Sequence, residues 1–384
     1  VERGLTEPQA RGYRLASSLL DPNHLPMAPE NGRNVFLLSL SDKAAGGNGD
    51  HEAFRGALVD VLFNDEARER QNSPVAKELL AKLVEDYKEM GHTAEFFSDN
   101  NDRGFKDFLL RYLHYVIFEL DPNDMEIVMA LNKLHYDSSS AGYFLAVAGN
   151  LFQFLRFRDW PQQFMDVAKI YANSPAMANF TSNDPNYNMI TKHDLSMAAL
   201  AMMSLAGMVG PLTHGLIATG FREFNNYEGQ ETHKIDVTKV WDQLDLENRD
   251  EVKRYLFECG RLRTPVSNSH RLATEDFTIK IRGKNRTFPK GTTIFIPIMF
   301  AMVDEGFWGK TTFQFDHNRE KLCPYSMIFH SVGDRSAGRI CPGRGIAVEM
   351  LVDVLIELGK VRDAGGINKS SPDKASSLHQ AKVQ

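Results

Sequence analysis

Along the first two thirds of the chain, apolar residues recur at three- and four-residue intervals with charges on the opposite side, which is the period of an amphipathic helix. HEAFRGALVDVLF, PVAKELLAKLVEDYKEM, FKDFLLRYLHYVIFEL and NDMEIVMALNKL each follow it, and helical blocks continue to about Leu262. The stretch from Leu195 to Gly220 differs, because its only ionisable residue is His214. Such a segment predicts a helix buried on all sides. It is long enough to cross a bilayer, but Ser204, Gly207, Gly210, Pro211, Thr213, His214 and Gly215 fall within it and no aromatic belt flanks it. A buried helix rather than a transmembrane segment is therefore expected, with a kink at Pro211.

Beyond Leu262 the pattern changes to FTIKI and TTIFIPI, short runs rich in β-branched residues, with GKNRTFPKG between them as a turn. A last helix is expected over Arg344 to Leu358, and the polar tail from Asp363, with NKSSPDKASS, has the composition of a disordered segment. Neither an internal repeat nor a linker interrupts the chain. The pattern predicts a mainly α fold, a helical domain with a small β part over residues 1–362, followed by a disordered tail over 363–384.

Composition narrows the functional classes. The chain has 384 residues, 42% of them hydrophobic, enough to bury a large core. Its net charge of −6, with no long run of Lys and Arg, argues against nucleic acid as the main partner. Three cysteines make no disulfide framework, and their spacing fits no zinc site. A reducing compartment such as the cytoplasm is the expectation. The opening VERGLTEPQARGYR is polar and lacks the apolar core of a signal peptide.

Candidate chemistry concentrates at Cys341, in SVGDRSAGRICPGRGIAVEML. A thiolate at the start of a helix faces unpaired backbone N–H groups and the positive end of the helix dipole, and Arg335, Arg339 and Arg344 would also favour the ionised form. Gly338 and Gly343 let the backbone approach closely. Those features suit a metal cofactor. Cys259 and Cys323 lack such surroundings and read as ordinary buried thiols.

Further motifs extend this picture. FECGRLRTPV places Glu258 and Arg261 one turn apart on a helix ended by Pro265-Val266, and FQFDHNR supplies Arg319 as a third member. A carboxylate between two guanidinium groups can form a bidentate network. Between the two motifs, HRLATEDFTIKIRGKNRTFPKGTTIFIPIMFAMVDEGFWG orders a strand, a turn, Pro-x-Gly-Thr and Phe-Trp. Together these features resemble the cytochrome P-450 family, from about Asp50 to Leu358 and most strongly over the last hundred residues.

The resemblance implies a P-450-like fold and haem b held by Cys341 as the axial iron ligand, the thiolate donating electron density to the iron. It also implies that His51 and Arg55, in His51-x-x-x-Arg55, bind haem propionates, with His270, Arg271 and Arg339 as further ligands. Arginine suits that task because its planar fork stays charged. Gly207 and Gly343 complete the expected cofactor-binding set. Glu258, Arg261 and Arg319 would form a structural triad that pins the cofactor loop.

Two departures from the family pattern bear on mechanism. The phenylalanine expected seven residues before the cysteine is Phe329, twelve before it (341 − 329), so the loop carries about five extra residues, and Ala337 replaces a glycine. A longer loop is similar to the branch that rearranges fatty-acid hydroperoxides without a redox partner. In the distal helix, monooxygenases place Ala/Gly-Gly-x-Asp/Glu-Thr, whose acid and hydroxyl deliver protons for dioxygen cleavage. Ala206-Gly207-Met208-Val209-Gly210 keeps only the glycine, and Val209-Gly210-Pro211-Leu212-Thr213 recovers the threonine but not the acid. Gly210, Thr213 and His214 are the candidate catalytic residues.

The readings that follow are a haem-thiolate oxidoreductase of monooxygenase or peroxygenase type acting on a small apolar substrate, a haem-thiolate lyase, isomerase or dehydratase, and a haem sensor using Cys341-Pro342. A monooxygenase would need a reductase or ferredoxin, for which Lys310, Lys321 and the loop arginines offer a basic face. Substrate-pocket walls are expected around Phe96 to Phe105 and Ser267 to Leu272. About fifty residues precede the His51 helix, where the family usually has a membrane anchor or extra strands.

Overall fold

The computed structural model describes residues 15–16, 35, 37, 40, 43, 48–98, 102–136, 162–221, 237–265, 269–273, 275–281, 283–320, 322 and 340–363. Helices dominate: α1 (Asp50–Leu62), α2 (Asp65–Gln71), α3 (Pro74–Met90), α4 (Ala94–Ser98), α5 (Gly104–Phe118), α6 (Met125–His135), α7 (Gln162–Ala172), α8 (Lys192–Met202), α9 (Val209–Ala218), α10 (Val237–Trp241) and α11 (Arg249–Leu262). After the strands come α12 (Ile298–Ala301), α13 (Glu305–Trp308) and α14 (Arg344–Asp363).

Local sequence accounts for the ends of these helices. Ser73 caps α3 by accepting from the Ala76 N–H at 3.2 Å, Pro74 occupies the first turn where its missing N–H costs nothing, and Gly91 follows the last residue. Thr191 and Asp194 form a capping box on α8, each side chain accepting from the other's backbone N–H at 3.0 and 2.9 Å. Asn248 caps α11 by accepting from the Glu251 N–H at 3.3 Å.

The core lies where helices α3, α5, α9 and α14 pack on one another, with α11 laid against α9 and α14. Helix α5 is buried on nearly every face and carries Asp107 and Arg111 inward as an i, i+4 pair, the Arg111 Nε donating to both carboxylate oxygens at 2.8 and 2.9 Å. Arg111 also donates to the Pro122 carbonyl. Burying one member without the other would strand a charge, so the pair is a unit. Trp241 of α10 donates its indole N–H to the Leu355 carbonyl of α14 at 3.2 Å.

The apolar stretch from Leu195 does form a buried helix, with Leu195 through Ala201 all inaccessible. Its break comes earlier than the proline itself. Residues Met203–Gly207 form a π-turn, in which the Met208 N–H reaches the Met203 carbonyl at 2.9 Å, and α9 starts at Val209. Pro211 has no N–H to offer Gly207, and its ring would collide with that carbonyl in a continuous α-helix, so the turn before it widens. Among the described residues no helix is long and apolar enough to cross a membrane.

Among the described residues, two small antiparallel sheets accompany the helices. One has the order β1 (Leu15–Ala16), β2 (Ser269–Ala273), β5 (Thr293–Ile296), and the other pairs β3 (Phe277–Ile281) with β4 (Lys284–Phe288). The KNRTF segment expected within a turn is instead strand β4, registered with Phe277 opposite Phe288 and Ile281 opposite Lys284. Its alternation is masked because most of its residues are exposed, and pairing comes from the tight reversal at Gly283, whose φ is +76°. Helix α14 runs on to Asp363, beyond the Leu358 expected, and residues 364–384 lie outside the described residues.

Candidate cofactor site

The ion network around Glu258 is the most completely formed part of the site. Glu258 and Arg261 on α11 are both 0% exposed, and the Arg261 Nε and Nη2 donate to the two carboxylate oxygens at 2.7 and 2.8 Å. Arg319 donates from Nε to Glu258 Oε1 at 3.2 Å, and the backbone N–H of Asp316 adds a bond to the same oxygen at 2.9 Å. Arg261 also donates to the Met302 carbonyl at 2.8 Å and lies 5.2 Å from the Trp308 ring centroid. Arg319 reaches the Gln314 carbonyl at 2.8 Å and the Thr311 hydroxyl at 3.1 Å. A buried carboxylate that accepts four hydrogen bonds, three of them on Oε1, fixes the loop over 309–319 against α11.

Cys341 sits just before α14, whose first turn supplies the Gly343 and Arg344 N–H groups to its sulfur. Arg55 of α1 donates from Nη2 to the Ile340 carbonyl at 2.8 Å, placing its guanidinium beside the sulfur. The net effect on ionisation differs from the sequence expectation. Burial pushes the Cys341 thiol up from its ordinary value, and this outweighs the opposing pull of the Gly343 N–H, Arg55, and the Arg344 N–H and charge. Desolvation of a thiolate here is costlier than two backbone dipoles and two nearby guanidinium groups repay, whereas a directly coordinated metal deprotonates a thiol outright. Arg344 turns its guanidinium toward the Phe257 ring, 5.5 Å from the centroid.

His51 and Arg55 stand one turn apart on α1, as their spacing predicts, with His51 buried and Arg55 partly so. The helix start is held by Asp50, which accepts from the Asn48 and Asn188 side chains at 2.9 and 3.2 Å. His270 and Arg271 lie on β2, their backbones opposite Phe295 and Ile294. Arg335, Ala337, Gly338, Arg339, Lys321, Cys323 and Phe329 lie outside the described residues. The second pocket-wall segment lies partly outside them too, at residues 266–268.

The helix expected on the distal side is not evenly covered. A Cβ placed on Gly210 would meet no heavy atom beyond its chain neighbours and its own helix backbone within 4 Å, and Val209 is 44% exposed although Leu195 to Ala201 of the same apolar stretch are sealed in the core. Gly207 is packed more tightly, a Cβ there falling 2.7 Å from the Met203 sulfur. Thr213 is partly accessible, whereas His214 is buried and its Nε2 donates to the Leu256 carbonyl at 2.7 Å. Burial lowers the His214 imidazole to about 4. Neutral and bonded to α11, it ties two helices together.

These residues fit haem. The thiol has N–H donors and a guanidinium arranged for its charged form, the open stretch at Val209 and Gly210 leaves room over the distal helix, and two cationic side chains one turn apart suit a pair of carboxylates.

No family sequence model matches the chain, and no curated protein matches it either. Solved structures do. The chain superposes on Mycobacterium marinum cytochrome P450 CYP150A6 in its substrate-free form with a TM-score of 0.58 at 15% identity, covering 91% of this chain and 75% of that one. The LnmZ cytochrome P450 hydroxylase of the leinamycin pathway of Streptomyces atroolivaceus gives 0.58 at 16% identity, covering 94% and 86%. The Bacillus subtilis cytochrome P450 PksS gives 0.56 at 15%, covering 94% and 81%. The fold is that of a cytochrome P450. The segment expected as the distal helix comprises α8, the π-turn and α9, and α14 follows Cys341.

Sequence reasoning passed over one polar feature of this P450 fold. His114, His135, Tyr171 and Ser204 come from α5, α6, α7 and the π-turn and meet in the core. The signal available was a histidine at the centre of FLLRYLHYVIF, an otherwise apolar helix.

Proposed function

We propose that the protein is a haem-thiolate oxidoreductase that holds haem b through Cys341 and oxidises a small apolar organic substrate as a monooxygenase or peroxygenase. The observation that carries this reading is the junction of α1 with the cysteine segment, where Arg55 bonds to Ile340 and faces the sulfur. When bound, haem with a thiolate ligand supplies activation of dioxygen or peroxide for attack on unreactive C–H bonds.

The remaining roles belong to the chain. Cys341 offers its sulfur, stabilised by the Gly343 and Arg344 N–H groups. His51 and Arg55 bind the carboxylates of the cofactor, joined by His270, Arg271 and Arg339. Gly343 and Gly207 permit close approach of the backbone. Glu258, Arg261 and Arg319 act structurally. Thr213 is the hydroxyl left to hold or pass a proton on the distal helix, beside the space at Gly210, and His214 holds the helix against α11. Residues 1–362 form the catalytic domain, working in a reducing compartment with a reductase or ferredoxin if dioxygen is the oxidant.

Two measurements test this. The reduced CO complex should show the red-shifted Soret band of thiolate ligation, lost in Cys341→Ala and kept in Cys259→Ala. An unchanged spectrum in Cys341→Ala removes the assignment. Turnover that depends on a reductase or added peroxide supports the oxidase, while rapid consumption of a lipid hydroperoxide with no electron donor and no oxidised co-product would establish an isomerase instead.

A further inference from the structure

Asn48 and Gly49 form an Asn-Gly pair immediately before α1, the helix that carries His51 and Arg55. Asn48 is exposed, and its side chain folds forward over its own peptide bond, Oδ1 accepting from the Asp50 N–H at 3.1 Å. Such a turn is one that asparagine closes with the residue two positions on. Its Nδ2 donates to Asp50 Oδ2 at 2.9 Å. Gly49 has φ +80° and caps the helix, its carbonyl accepting from the Ala53 N–H at 3.1 Å. The Gly49 N–H, by contrast, donates to no hydrogen bond among the described residues.

These contacts prepare a reaction within the chain. Glycine has no Cβ to hinder approach of its nitrogen to the Asn48 carboxamide, and no hydrogen bond has to break to free that nitrogen. The Asp50 N–H faces the oxygen on which negative charge develops, and the Asp50 carboxylate faces the nitrogen that must leave, positions from which the amide is polarised and a proton is taken up and returned. The bond from Gly49 N to Asn48 Cγ forms while the amide proton passes to base. The Cγ–Nδ2 bond then breaks, and Nδ2 leaves as ammonia. Water opens the resulting cyclic imide at either carbonyl, so that asparagine and water become aspartate or isoaspartate and ammonia, with no oxidant or cofactor taking part.

We propose that Asn48 is a site of self-modification, converting to aspartate and isoaspartate in the folded protein, and that the conversion unfastens the start of α1. The product carboxylate would stand where Nδ2 now donates, facing Asp50 with like charge. Isoaspartate also adds a carbon to the main chain directly before the left-handed Gly49. Asn188, which donates from Nδ2 to the Asn48 carbonyl at 3.1 Å and to Asp50 Oδ1 at 3.2 Å, would lose the seat that straps its loop to the helix. His51, buried in the same turn, moves with it. Only the consequence for the cofactor rests on the proposed function.

Peptide mapping by mass spectrometry tests the proposal on the holoprotein, held in mildly alkaline buffer and sampled over days beside the same protein unfolded in urea. Asn48 should convert at least as fast in the folded chain as in the unfolded one, with isoaspartate detected by enzymatic methyl labelling. In Asp50→Asn the folded rate should fall below the unfolded rate. Slower conversion in the folded, unaltered protein overturns the proposal, and an unchanged rate in Asp50→Asn overturns the part given to that carboxylate. Haem absorbance of the same samples should fall in proportion to conversion, and it should stay level in Asn48→Gln, whose longer side chain closes a less favourable ring. Conversion at constant haem overturns the link to α1. A protein that holds no haem at all contradicts the proposed function instead, and the mapping still decides whether Asn48 converts.

Discussion

Arg55 and Ile340, 285 positions apart in sequence, are joined by a hydrogen bond of 2.8 Å from the guanidinium to the carbonyl, one residue before the candidate axial cysteine. Burial pulls the Arg55 guanidinium down and Cys341 opposes that pull, so the two groups are in electrostatic contact as well. Replacing Arg55 by Leu should cost about 1.5–3 kcal/mol, the range of a charge-assisted bond, and lower cofactor content. Arg55→Lys should recover charge but not the forked geometry, and so only part of the loss. Thermal unfolding together with the ratio of haem to protein absorbance checks both.

Glu258 offers a sharper contrast. Its carboxylate is the shared acceptor of two guanidinium groups, so Glu258→Ala leaves Arg261 buried and uncompensated. The expected loss is about 3–5 kcal/mol, the usual consequence of breaking a buried pair. Arg319→Ala removes the outer partner and should cost less, since Arg261 still satisfies both oxygens. Denaturant unfolding of the two variants orders them, and equal losses would show that the network is not hierarchical.

Two glycines of α9 carry different expectations. A Cβ on Gly215 would run into the Phe105 ring and approach Leu351 to 3.3 Å, whereas one on Gly210 meets nothing within 4 Å beyond its chain neighbours and its own helix backbone. Gly215→Ala should destabilise by about 1–3 kcal/mol through overpacking. Gly210→Ala should change stability by less than about 1 kcal/mol, because the gain from alanine in a helix is opposed by the clash of its Cβ with the ring of the following Pro211. Melting temperatures measured side by side decide the matter.

Acid should unfold the protein through its buried imidazoles. His92, His114 and His214 are held at about 4 against an ordinary value of 6.5, and His135 is also held well below 6.5, each chiefly because burial disfavours the charged form. The unfolded chain therefore binds protons that the native state refuses. Stability is complete above about pH 6.5 and falls between 6.5 and 4, by about 1.4 kcal/mol per pH unit for each histidine that titrates. His214→Gln should flatten that slope. Equilibrium unfolding at several pH values measures it.

Much of the site could be read in the sequence because its parts are local. Glu258 and Arg261 share one turn of helix, His51 and Arg55 share another, and Cys341 with Pro342 and Gly343 opens a third, so spacing alone predicts which side chains go together. Pro211 likewise announces a disturbed distal helix, since proline cannot continue the ladder in any context. Strand β4 was not legible, because its residues are mostly exposed and no buried face imposes an alternation.

By itself, then, the sequence determined the helical character, the change to short strands near Leu262 and the pairing of Glu258 with Arg261, all of them fixed by periodicity or by neighbours a few residues apart. Only the tertiary structure decided that the Cys341 thiol is held above its ordinary range, that His214 serves α11, and that Ser204 meets His135. Desolvation and hydrogen-bond direction depend on what distant segments bring to one place, and a linear pattern carries no measure of either.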